Sequence, residues 1–144
     1  MRITTSRFGE LELEESEIIT FPQGILGFEA VKRYVLLGDT QPFGFLQAVD
    51  DPDLTFVVID PRAIVQDYRA EVPGAEVEEI GIKEQDETVA LAIVTIPDDP
   101  QKMTANLQAP VLINCSNRQA KQLVLDDGGY DLRHPVLAPV GQSA

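Results

Sequence analysis

Few residues of this 144-residue chain have types and spacings that could do chemistry, and each fails on its surroundings. The one histidine, His134, precedes Pro135 and has no second histidine or nearby thiol to complete an acid–base pair or a metal site. A satisfied loop histidine is the plainer reading. Cys115 is the only cysteine; without a base beside it a small buried thiol is the ordinary expectation, and no internal disulfide can form. Asp50-Asp51-Pro52-Asp53 has the acids of a cation loop but lacks the alternating ligands, central glycine and closing glutamate of one, and Asp98-Asp99 and Asp126-Asp127 are poorer still. Gly24-Ile25-Leu26-Gly27 is no phosphate loop, since neither a Lys-Ser/Thr pair nor a helix follows it. No catalytic group, metal ligand or cofactor site is therefore assigned.

What remains is a stretch suited to contact rather than reaction. In Phe21-Pro22-Gln23-Gly24-Ile25-Leu26-Gly27-Phe28-Glu29, Pro22 fixes its own φ and drives Phe21 out of the helical region, while Gly24 and Gly27 permit backbone conformations other residues avoid. Four large apolar side chains thus sit on a segment that is neither regular helix nor regular strand. Such a turn either plugs one end of a β-fold or presents a rigid apolar surface to a partner.

The elements that must position this loop read mainly as short strands. Phe8 to Glu14 alternates apolar and acidic residues, which predicts a half-buried strand with Leu11 and Leu13 inward. Ile18 to Phe21 continues as β into the turn and Tyr34 to Leu37 leaves it. Phe43 to Val49 and Leu54 to Asp60 predict a hairpin across the turn-forming Asp50-Asp51-Pro52-Asp53. Pro73 to Gly81 reads as a short helix, with proline and acids first and glycine last. Thr88 to Ile96, uniformly apolar and stopped by Pro97, predicts a central strand. Then come a loop over Thr104 to Pro110, a strand over Val111 to Asn114, a polar turn over Cys115 to Gln119 and a strand over Lys121 to Leu125. Tyr130 to Pro135 trails into a disordered tail over residues 138–144. The fold class expected is mainly β: one small domain over residues 1–137, a β-barrel or sandwich of short antiparallel strands with one or two short helices.

Composition narrows the partners. The chain has 24 acidic against 11 basic residues, a formal net charge of −13, and its basic residues are scattered rather than striped, so direct nucleic-acid binding is not expected. An acidic surface steers toward basic proteins. No apolar run approaches the roughly 20 residues that span a bilayer, and residues 1–7 lack a secretory signal, so the expectation is a cytoplasmic protein with no membrane attachment. Two alternatives compete with a binding module: an enzyme working through a carboxylate pair on a barrel rim, and a small-ligand carrier whose cavity is lined by Phe21, Ile25, Phe28, Phe43 and Phe45.

Several stretches in combination resemble one family. They are the Phe21 to Glu29 turn, Phe45-Leu46-Gln47-Ala48, Asp67-Tyr68, Thr104 to Asn114 with its Asn106-Leu107-Gln108-Ala109-Pro110 loop, Gln122 to Leu125, and Tyr130. In order and spacing, from about residue 2 to about residue 137, they are similar to the flagellar assembly factor FliW. The resemblance implies a non-catalytic, barrel-like protein with two protein partners: cytoplasmic flagellin, and the RNA-binding translational repressor CsrA. In that scheme the protein sequesters CsrA while flagellin is scarce, and accumulating flagellin displaces CsrA to halt translation. The family's action on CsrA lies away from the RNA surface. The candidate partner-binding residues are Phe21, Gly24, Ile25, Leu26, Gly27, Phe28, Gln47, Asn106, Gln108 and Asn114. Within them, Ile25, Leu26 and Phe28 are expected to make apolar contact, and Asn106, Gln108 and Asn114 polar positioning.

Overall fold

The computed structural model describes residues 1–38, 43–68, 87–125 and 130–136. An N-terminal ribbon of two antiparallel strands, β1 (Arg2–Thr5) and β2 (Gly9–Glu12), precedes the main sheet. That sheet contains β3 (Ile18–Thr20), β4 (Arg33–Leu37), β5 (Phe43–Ala48), β6 (Thr55–Ile59), β7 (Thr88–Thr95), β8 (Thr104–Ala105), β9 (Val111–Asn114), β10 (Gln119–Gln122) and β11 (His134–Pro135). Seven of these strands close into a barrel in the order β7-β6-β5-β4-β3-β10-β9, with β9 pairing back onto β7. Every pairing is antiparallel except β3 with β10, which meet in parallel at Thr20 and Gln119.

Closure rests on β7. Its first half, Thr88 to Leu91, pairs with β9, and its second half pairs with β6 on one side and β8 on the other. Both edges of β7 are thus paired, and its middle is buried at Leu91, Ala92 and Val94, whereas Val89 nearer its start stays 37% exposed. The barrel interior is filled by Ile19, Phe21, Ile25, Tyr34, Leu46, Val58, Val111 and Ile113, all 2% exposed or less. A second cluster outside β7 gathers Ile59, Tyr68, Leu107 and Leu125, and a third seats the ribbon's Ile3 and Leu13 on Val35 and Val49.

Four features depart from the expectations. The ribbon's β1 was not anticipated, because four residues carry too little alternation to read alone. The loop over Thr104 to Pro110 begins with β8, and His134–Pro135, expected to trail away, pairs with it as β11. The last barrel strand spans Gln119–Gln122 rather than Lys121 to Leu125; it starts early because Arg118 adopts φ +59° and closes the turn by donating its N–H to the Asn114 carbonyl at 2.8 Å. Leu11 is only half-buried, whereas Leu13 is buried. The helix expected over 73–81 and the tail over 138–144 lie outside the described residues, in which helix is limited to the 3-10 turns Glu15–Glu17, Pro61–Ala63 and Pro100–Lys102. No described helix is long and apolar enough to cross a membrane.

Candidate functional site

The segment between β3 and β4 folds as two tight turns in succession. Gly24 N–H donates to the Phe21 carbonyl at 2.9 Å, and Phe28 N–H donates to the Ile25 carbonyl at 2.7 Å. Gly24 and Gly27 sit at φ +70° and +88°, the left-handed region that glycine enters without strain. At Gly24 the chain also needs the missing Cβ, which would lie 2.6 Å from Glu29 Cα. The Glu29 carboxylate accepts from Gly27 N–H at 2.7 Å and the Phe21 N–H donates to the Lys32 carbonyl at 2.7 Å, fixing both ends.

This geometry sorts the four apolar side chains into two pairs. Phe21 and Ile25 point into the barrel and are 0% and 1% exposed; Leu26 and Phe28 point out and are 59% and 43% exposed. The Phe28 ring packs edge-on to Phe56 at 5.2 Å, Phe56 lies 6.0 Å from Tyr34, and Tyr34 packs edge-on to Phe21 at 5.1 Å. A row of rings thus runs from the barrel interior to the exposed loop, which makes Phe28 a rigid rather than a floppy surface group.

The second loop, residues 106–110, is tied to the first. Asn106 Oδ1 accepts from Ala109 N–H at 2.9 Å and its own N–H donates to the Ile93 carbonyl at 2.9 Å, so the Asn106 side chain closes the loop on itself. Between the loops stands Gln122, which accepts from Leu26 N–H at 3.0 Å and donates to the Ala109 carbonyl at 3.1 Å. Gln108 is half-buried and its carbonyl accepts from Leu125 N–H at 2.8 Å. Nothing in the sequence marks Gln122 as a bridge, since its strand signal does not say which backbone groups its side chain meets.

The remaining candidates lie elsewhere and inside. Gln47 is fully buried and donates to the Ala48, Asp51 and Pro52 carbonyls while accepting from Thr55 Oγ1 at 2.5 Å, which pins the β5–β6 turn. Asn114 is also fully buried; its Oδ1 accepts from Ser116 N–H at 2.9 Å in the β9–β10 turn. Neither offers surface to a partner. The five residues proposed to line a carrier cavity do not converge: Phe21 and Ile25 fill the barrel, Phe28 is outside, Phe43 joins the second cluster, and Phe45 faces Phe8 and Arg7. A pocket of about 310 Å³ beside β7, lined in part by Asp60, Arg62, Tyr68 and Thr88, contains none of them.

The described acid runs serve local structure, through one ion pair and two turn caps. Asp50 pairs with Arg33 at 2.6 Å, Asp51 accepts from Asp53 N–H at 3.1 Å, and Asp99 accepts from Gln101 N–H at 3.0 Å, while Asp126-Asp127 lies outside the described residues. His134 is half-buried in β11, and Cys115 is half-buried rather than enclosed, its N–H donating to the Glu87 carbonyl. No group of three or more histidine, cysteine, aspartate or glutamate side chains among the described residues could hold a metal ion.

Fold and site together define a small closed β-barrel that carries a braced, glycine-turned apolar loop on its surface. The FliW protein family model matches residues 2–137, and the chain belongs to that family. It is 43% identical to the flagellar assembly factor FliW of Natranaerobius thermophilus over 100% of this chain and 97% of that one, and 42% identical to that of Geobacter sulfurreducens over 99% and 91%. A crystal structure of the flagellar assembly factor FliW superposes with a TM-score of 0.90 at 33% identity, covering 97% of this chain and 99% of the other.

Proposed function

We propose that this chain is a cytoplasmic flagellar assembly factor that works by occupancy rather than catalysis. It binds flagellin through the exposed loop pair and binds the repressor CsrA through its acidic surface; flagellin displaces CsrA, and CsrA repression of flagellin translation is restored. One observation carries this reading: Leu26 and Phe28 stand exposed on a loop whose backbone is locked from both sides, in a chain whose full length matches flagellar assembly factors. An apolar residue held at large exposure on a rigid turn costs little conformational entropy on binding, which favours recognition of an apolar helix face such as a flagellin terminus. The net charge of −13 favours a basic second partner.

The test is calorimetric titration of the purified chain with flagellin and with CsrA, followed by displacement of one by the other. Leu26→Ser with Phe28→Ser should abolish flagellin binding while the fold stays intact. CsrA affinity should fall as salt rises, because exposed charges are screened beyond about 8 Å at physiological ionic strength. Failure of either protein to bind, or flagellin binding unaltered by the double substitution, refutes the proposal.

A further inference from the structure

The ribbon has a hydrogen-bonding edge of defined length and charge that no described residue pairs with. Met1 and Leu13 exchange both backbone bonds, at 2.7 and 2.9 Å, so in an antiparallel register the pairs alternate: Ile3 with Leu11 bonds across the ribbon, whereas Arg2 with Glu12 and Thr4 with Glu10 turn their backbone groups outward. Just past β1, Ser6 N–H donates to the Pro52 carbonyl at 2.8 Å and ties the ribbon to the 50–53 turn. On β2 the outward groups of Glu10 and Glu12 have no backbone partner among the described residues. Glu14 ends this edge, because its N–H donates to the Glu17 carboxylate at 3.3 Å.

The side chains along the edge alternate as well. Glu10 and Glu12 are exposed on the outer face, and Leu11 is half-buried on the inner face. Of the bases, Arg2 already pairs with Glu12 at 2.7 Å, and the acids Glu14, Glu15 and Glu17 follow the strand in sequence. A second copy of this chain adding antiparallel to the edge would set glutamates against glutamates, which is destabilising, whereas opposite charges directly across a strand pair attract. The same acids that deny the edge to a like strand therefore admit a basic one.

We propose that the outer edge of β2 is a strand-addition site for an extended protein segment that places lysine or arginine opposite Glu10 and Glu12 and an apolar residue beside Leu11. The inference holds whichever partners bind the apolar loop, and its test uses neither. A blocked synthetic peptide, Lys-Val-Lys-Val-Lys flanked by glycines, is titrated into the full chain at low salt and followed by amide NMR and hydrogen exchange. The amides of Glu10 and Glu12 should shift, and at ten times the dissociation constant their exchange should slow about tenfold, as mass action requires. The peptide N-methylated at its lysines should not bind. The variant carrying Glu10→Lys and Glu12→Lys should lose the lysine peptide and gain its glutamate counterpart, a rescue that an unfolded ribbon could not show. Unchanged exchange at Glu10 and Glu12, shifts centred elsewhere, equal binding of the N-methylated peptide, or no exchange of preference in the charge-reversed variant would each overturn it.

Discussion

The N–H of Leu26 donates to Oε1 of Gln122 at 3.0 Å, across 96 residues of chain, and the same amide side chain donates through Nε2 to the Ala109 carbonyl at 3.1 Å. One glutamine thus straps two loops that belong to opposite ends of the sequence. Gln122→Glu keeps an acceptor for Leu26 but loses the donor to Ala109, setting oxygen against oxygen. Gln122→Ala loses both bonds. Each should cost about 1 kcal/mol in urea unfolding, yet only the alanine variant should speed exchange of the Leu26 amide. Equal exchange in the two variants would show that the bridge does not hold the loop.

The two glycines of the first loop are predicted to differ. A Cβ at Gly24 would meet the Glu29 backbone at 2.6 to 2.9 Å, and nothing there can give way without moving the loop. At Gly27 a Cβ meets nothing within 4 Å, so only its positive φ opposes a side chain. Gly24→Ala should therefore destabilise by more than about 2 kcal/mol and Gly27→Ala by roughly 1 kcal/mol. Thermal midpoints of the two variants, measured side by side, decide it.

Much of the barrel was legible because its signals are local. The hairpin of β5 and β6 follows from two β-rich runs around Asp50 to Asp53, and β7 from the longest apolar run of the chain, which pairs along both edges. The pairing of β8 with β11 was not legible, since two-residue strands carry no periodicity and their partnership is set by the rest of the fold. The start of β10 was misplaced for a different reason: a left-handed arginine at position 118 has no residue-type signature, unlike a glycine. Within the candidate site, the loop could be found but not its facing. A turn has no repeat, so nothing in the order Ile25-Leu26 says which side chain is buried.

Two buried tyrosines offer a contrast in stability and pH response. Tyr68 donates its hydroxyl to the Leu107 carbonyl at 2.8 Å, whereas the Tyr34 hydroxyl has no partner among the described residues. Tyr68→Phe should cost about 1 kcal/mol and Tyr34→Phe should be neutral or slightly stabilising, within about 0.5 kcal/mol. Burial, with Asp51 near Tyr34 and Tyr130 near Tyr68, pushes both phenols from 10.0 up to about 12. Between those values the unfolded chain gives up protons that the native chain retains, so stability is undiminished below 10 and falls as pH rises toward 12. Either phenylalanine variant should flatten that alkaline decline in urea titrations; an unchanged slope in both would refute the assignment.

Adjacent residues in the apolar loop should fail in opposite ways. Ile25, 1% exposed, packs in the barrel interior with Phe21, so Ile25→Ser both leaves a cavity and buries a hydroxyl, at a cost of at least about 3 kcal/mol. Leu26, 59% exposed, contributes its N–H to the Gln122 bridge but little side-chain burial, so Leu26→Ser should change stability by no more than about 0.5 kcal/mol. Under the proposed function, both weaken flagellin binding: Ile25→Ser through the population that remains folded, Leu26→Ser through roughly tenfold lower affinity of an intact fold. Measuring urea stability and flagellin affinity on the same preparations separates the two routes. A Leu26→Ser protein that is fully folded and binds flagellin normally would move the contact surface away from this loop.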